Sequence, residues 1–99
     1  MEYNKEKIEA AKILFAEVLE LNQQLPENRF IDVDLSGGPQ HPAIVVSFWK
    51  ERETGGFFYD DGDSYFKIYF ADKNRSGFPE DCFAKLTAKM QKWKELYCN

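Results

Sequence analysis

The sequence predicts an α+β fold of element order α-β-β-β-β-α, an antiparallel four-stranded meander packed against N- and C-terminal amphipathic helices. Three features of the 99-residue chain point to it. Apolar residues recur at helical spacing at both ends. In the middle they alternate with polar residues, as on a half-buried strand. Glycine- and aspartate-containing turn signals separate the alternating runs.

The first helix is expected from about Asn4 to Leu25. Asn4 suits an N-cap, and Ile8, Ala11, Leu14, Phe15, Val18, Leu21 and Leu25 form a wide apolar stripe with Leu19 at its edge. Pro26 and Asn28 end it. From Arg29 to Ser36, Ile31, Val33 and Leu35 alternate with Asp32 and Asp34, which predicts a strand with one wet face. Residues 37–42, Gly-Gly-Pro-Gln-His-Pro, read as a loop. Ala43 to Arg52, β-branched and aromatic, is the second strand. Pro79 suits the first position of the last helix, whose seam is Phe83, Leu86, Met90, Trp93 and Tyr97.

Two turns are expected between the second strand and that helix. Glu53-Thr54-Gly55-Gly56 closes one hairpin, with Thr54-Gly55 or Gly55-Gly56 as its central pair. Asp61-Gly62 is the strongest short hairpin signal, since a type I′ turn needs positive φ at both central residues. This register would set Phe58 opposite Tyr65 and Phe57 opposite Phe66. Phe57 and Tyr59 would then join Phe66, Ile68 and Phe70 on the apolar face, together with Ile44, Val46 and Phe48. The other face would carry Asp32, Asp34, Trp49, Glu51, Phe58, Asp60, Tyr65, Lys67 and Tyr69.

Composition bounds the class. Hydrophobic residues at 43% and charged residues at 30% describe a globular chain, expected to form a single α+β domain over residues 1–99. No apolar run reaches the roughly 20 residues that span a bilayer, and the N-terminal residues lack an apolar signal core, so no membrane association and a cytoplasmic location are expected. Cys82 and Cys98 fall on one helix, about 24 Å apart at the helical rise, beyond disulfide reach. The net charge of −4 is uneven: residues 29–72 hold four basic and eight acidic side chains, whereas residues 73–99 hold six basic and three acidic. Overall acidity weighs against a general nucleic-acid coat.

Several residue groups invite a chemical role. If both helices cover the apolar face, the aromatics of the other face meet solvent or a partner, as at an interaction site; if one helix covers each face, they are core. Asp60-Asp61-Gly62-Asp63 offers carboxylates to a hard cation, but its spacing does not match a calcium loop and suits turn geometry, so no metal is expected. His41, the single histidine, pairs with a nucleophile only if the fold brings Cys82 to it, and Glu80 and Asp81 oppose a thiolate there. A row of Lys85, Lys89 and Lys92, with Lys73, Arg75 and Lys94 nearby, is a solvated helix face or a phosphate contact. No glycine-rich phosphate loop, Cys-x-x-Cys pair or nucleophile elbow is present, and neither a cofactor nor an enzymatic activity is expected.

The order helix, strands, helix is similar to that of the double-stranded-RNA-binding domain. The likeness is confined to element order: that family's second helix opens on basic residues, whereas this one opens Pro79-Glu80-Asp81.

These features point to a small acidic protein-binding module of inhibitor, immunity or adaptor type. Its anchors are expected to be Trp49, Phe58, Tyr65 and Tyr69, with charge from Asp32, Asp34, Asp60 and Lys67. One variant has the spaced carboxylates mimic nucleic acid toward a basic protein. The alternatives are nucleic-acid binding through the basic C-terminal helix and self-association as a homodimer through the sheet face or a free edge.

Overall fold

The computed structural model describes residues 4–36, 42–70 and 79–98. Helix α1 (Lys5–Gln24) is capped by Asn4, whose side-chain Oδ1 accepts from the Glu6 and Lys7 amides at 2.8 and 3.1 Å. The Asn4 amide in turn donates to the Phe70 carbonyl at 2.8 Å, tying the start of the helix to the far end of the sheet. Leu25 takes an extended conformation and Pro26 follows, so the helix cannot continue. The strands are β1 (Arg29–Ser36), β2 (Ala43–Glu51), β3 (Phe57–Tyr59) and β4 (Tyr65–Tyr69), and helix α2 (Pro79–Tyr97) closes the described chain. No helix of the described residues is long and apolar enough to cross a membrane.

The four strands form one antiparallel sheet with β2 at its centre. One edge of β2 pairs with β1 along its whole length, from Arg29 opposite Lys50 to Ser36 opposite Ala43. The other edge pairs with both β3 and β4. This departs from the meander in one pairing: β4 lies beside β2, not beside β3. Phe48 shows how. Its carbonyl accepts the Asp60 amide at 2.9 Å and its amide donates to the Ser64 carbonyl at 2.8 Å. Both ends of the Asp61-Gly62-Asp63 segment are therefore held by one residue of β2. The chain loops out and resumes the same line instead of reversing. Gly62, at φ +77°, supplies the left-handed backbone that the excursion needs.

The hairpin after β2 also differs in phase from expectation. The Arg52 amide donates to the Gly56 carbonyl at 2.8 Å, and Glu51 stands opposite Phe57. Neither two-residue turn gives that pairing. A loop with one residue more does, turning on Gly55 and Gly56, both of positive φ. A one-residue slip sends side chains to opposite faces. Phe57 and Tyr59 therefore share the face of Trp49, while Phe58 joins Lys50 on the helix side.

Both helices pack on that helix side. Ala11, Leu14, Val18 and Leu21 of α1 and Leu86, Met90 and Trp93 of α2 meet Ile31, Ile44, Val46, Phe48, Phe66, Ile68 and Phe70 in one core. Phe48, Val46, Ile44, Ile68, Leu86 and Trp93 are essentially inaccessible. Each such large side chain contributes about 2 kcal/mol by removal from water. The helical seams foreseen at both ends are the buried ones. Beside this core, Asn22 projects from α1 onto the outer edge of β1. Its side-chain amide donates to the Ile31 carbonyl at 2.8 Å, and its Oδ1 accepts the Ile31 amide at 2.9 Å. A side chain thus completes, for one residue, the ladder that an edge strand lacks.

Candidate interaction face

With both helices on one side, the opposite face of the sheet has no element of the described chain packed over it. Strand register arranges this face in rows. Phe30, Trp49 and Tyr59 form one row; Asp32, Ser47 and Tyr65 the next; Asp34, Val45 and Lys67 the third; and Ser36, Ala43 and Tyr69 the last. Glu51 and Phe57 flank the first row on its far side. The centre of the lower rows consists of Ala43, Val45 and Ser47, which are themselves buried.

The aromatics touch one another in a continuous chain. Phe57 meets Phe30 edge-on at 5.0 Å, and Phe30 stacks parallel to Trp49 at 5.8 Å. Trp49 lies 4.5 Å from Tyr59, and Tyr59 meets Tyr65 edge-on at 6.2 Å. The Trp49 indole Nε1 donates to Ser47 Oγ at 2.9 Å, which fixes its orientation. Such contacts favour defined ring orientations. Phe57, Tyr59 and Tyr65 nevertheless remain 38%, 39% and 55% exposed.

Asp32 and Asp34 stand side by side on the β1 edge of this face, two residues apart. A hydrogen bond with the Asp34 carboxyl, partial desolvation and repulsion from the Asp34 charge hold Asp32 above the usual carboxylate range, against a lowering bond from the Val33 backbone. No ion pair reaches either carboxylate among the described residues. The Lys67 ammonium, one row across from Asp34, lies 5.2 Å from the Tyr69 ring.

Asp60 belongs elsewhere, contrary to expectation. It lies on the helix side of the sheet. Its Oδ1 accepts from Arg29 at 3.2 Å, and its Oδ2 accepts from Lys89 Nζ at 2.9 Å and Trp93 Nε1 at 3.3 Å. Burial alone would raise its pKa; the Lys89, Arg29 and Trp93 donors outweigh burial and hold it below the usual range. Arg29 stacks over Tyr97 at 3.8 Å and Trp93 at 5.3 Å. One carboxylate thereby joins β1, the loop after β3, and α2. Phe58 also leaves the predicted site: it lies on the helix side at the hairpin end, under Arg52 at 5.2 Å.

The other candidate groups fall as follows. The acidic turn does not converge on a cation site, because Asp60 turns inward and Asp61 pairs with Lys50 at 2.7 Å. Among the described residues no group of three metal-ligating side chains comes together. His41, Lys73, Arg75 and the Cys82 side chain lie outside the described residues. In the basic row Lys89 is committed to Asp60 and to the Asp61 carbonyl, while Lys85, Lys92 and Lys94 are exposed. A groove of about 300 Å³ between the helices has Glu17, Glu20 and Lys94 on its rim and Leu21 and Met90 beneath.

Trp49, Tyr65, Tyr69, Asp32, Asp34 and Lys67 thus occupy the open face as expected. Phe30, Phe57 and Tyr59 were missed. Phe30 was legible, since it shares strand parity with Asp32 and Asp34. Phe57 and Tyr59 were not, because their face depends on the length of the preceding loop. No family model matches the chain, and no curated protein and no solved structure matches it.

Proposed function

We propose that this chain is a non-enzymatic protein-binding module, of inhibitor, immunity or adaptor type, and that the open sheet face is its contact surface. The observation that carries this is the placement of both helices on one side of the sheet, which leaves a contiguous, partly exposed aromatic row on the other. Tyrosine and tryptophan held in fixed orientation lose little entropy on binding and dominate protein contact energies. Carboxylates beside them add orientation and faster encounter.

The test is affinity capture from the native host with three baits: the unaltered chain, Tyr59→Ala/Tyr65→Ala, and Leu19→Ala on the exposed side of α1. A partner retained by the first and third baits and lost by the second supports the proposal. Identical capture by all three, with circular dichroism confirming that each is folded, removes it.

A further inference from the structure

We infer that the segment docking on this face is basic and extended, with arginines at alternate positions that pair with Asp32 and Asp34, the guanidinium at Asp32 lying against the Phe30–Trp49–Tyr59 row. The inference rests on the open face being a protein contact surface, and it assigns the chemistry of what binds there.

The two sides of the sheet differ in charge. On the helix side, Asp60 is paired with Arg29 and Lys89, and Asp61 with Lys50. On the open face Asp32, Asp34 and Glu51 have no ion pair among the described residues, and the one cation in the rows is Lys67. That face therefore carries an excess of negative charge that a basic partner would complement. The Asp34 carboxyl beside Asp32 raises the Asp32 pKa, and a cation docked there would lower it again.

The molecule already contains the arrangement that the partner would build. The Arg29 guanidinium lies 3.8 Å from the Tyr97 ring centre while Nη1 donates to Asp60. The open face offers the same parts without the cation: rings at Phe30 and Trp49, and the Asp32 carboxylate in the adjoining row. A guanidinium suits it better than an ammonium, because the planar group stacks on a ring and binds a carboxylate through two parallel bonds. The backbone positions of Asp32 and Asp34 are two residues apart on a strand, about 7 Å. Alternate side chains of an extended segment recur at the same interval, so two arginines could meet the two acids together. Nucleic acid, being polyanionic, is disfavoured by the same charges.

The test uses the intact chain, isotope-labelled, titrated with three synthetic peptides of alternating pattern: Arg-Ser, Lys-Ser and Glu-Ser repeats. The readout is the indole N–H resonance of Trp49, with that of the buried Trp93 as internal reference. The expected result is a salt-sensitive shift of the Trp49 signal by the arginine peptide, a several-fold weaker effect of the lysine peptide, and none from the glutamate peptide. Asp32→Asn/Asp34→Asn should weaken the arginine peptide at least tenfold. An unmoved Trp49 signal, an equal response to the glutamate peptide, or unchanged binding by the double variant would overturn the inference. Adding the double variant as a bait in the native-host capture separates the two levels. A partner lost with Tyr59→Ala/Tyr65→Ala but kept by Asp32→Asn/Asp34→Asn leaves the contact face standing and removes the basic segment. A partner indifferent to both variants removes the contact face itself.

Discussion

Asp60 sits only 12% exposed among three donors, and its charge is matched by Arg29 and Lys89, themselves largely buried. Removing that charge strands two cations against the core. Asp60→Asn should therefore cost about 3 kcal/mol of stability, measured by urea unfolding at neutral pH. Because the folded-state pKa of Asp60 is lowered, its contribution is fully present above the unfolded carboxylate pKa of roughly 4 and is lost as pH falls through the folded value. Asp32 has the opposite sign. Its folded-state pKa is raised, so its ionised form is disfavoured by folding, and the penalty develops as pH rises through that value. Asp32→Asn should raise stability at pH 7 by a few tenths of a kcal/mol and have no such effect near pH 3. A loss of stability at pH 7 would mean that Asp32 has a favourable partner.

At the scale of elements, β2 organises the molecule, because both of its edges are paired and both of its faces are buried for most of its length. Between β3 and β4 its pairing register advances by four residues, the excess held in the loop at Asp60–Ser64. Deleting residues 61–64 should therefore join β3 to β4 as one continuous strand and preserve the fold, seen as retained dispersion of amide resonances. A reversal at Asp61-Gly62 would not survive that deletion. This element also marks where sequence stops being informative. Asp-Gly satisfies the backbone of a hairpin and of an outward loop equally, and local chemistry does not say which residue of β2 holds the two ends. The turn at Glu53–Gly56 has the same ambiguity in smaller form. Successive glycines permit positive φ at either position, and one residue of difference reverses the face of Phe57, Phe58 and Tyr59. Periodicity carried the rest: the stripe of α1, the seam of α2, and the alternation of β1, β2 and β4 point their apolar sides where the core lies, although Leu35 at the end of β1 stays exposed.

At the scale of the whole molecule, periodicity could not say on which side of the sheet α2 packs, since two- and three-layer arrangements bury the same seam. The answer lies in long-range chemistry. Lys89 and Trp93 of α2 reach Asp60, and Tyr97 covers Arg29, all on the side already occupied by α1. That choice leaves Trp49, Tyr59 and Tyr65 on the face away from the helices. Hydroxyl-radical footprinting of the chain alone and with its captured partner tests this most directly. Protection on binding should appear at Trp49, Tyr59 and Tyr65, while Ile13, Leu19 and Leu96 on the helices, all more than half exposed, stay unchanged. Protection of the helix residues with unaltered oxidation of Trp49, Tyr59 and Tyr65 would contradict it.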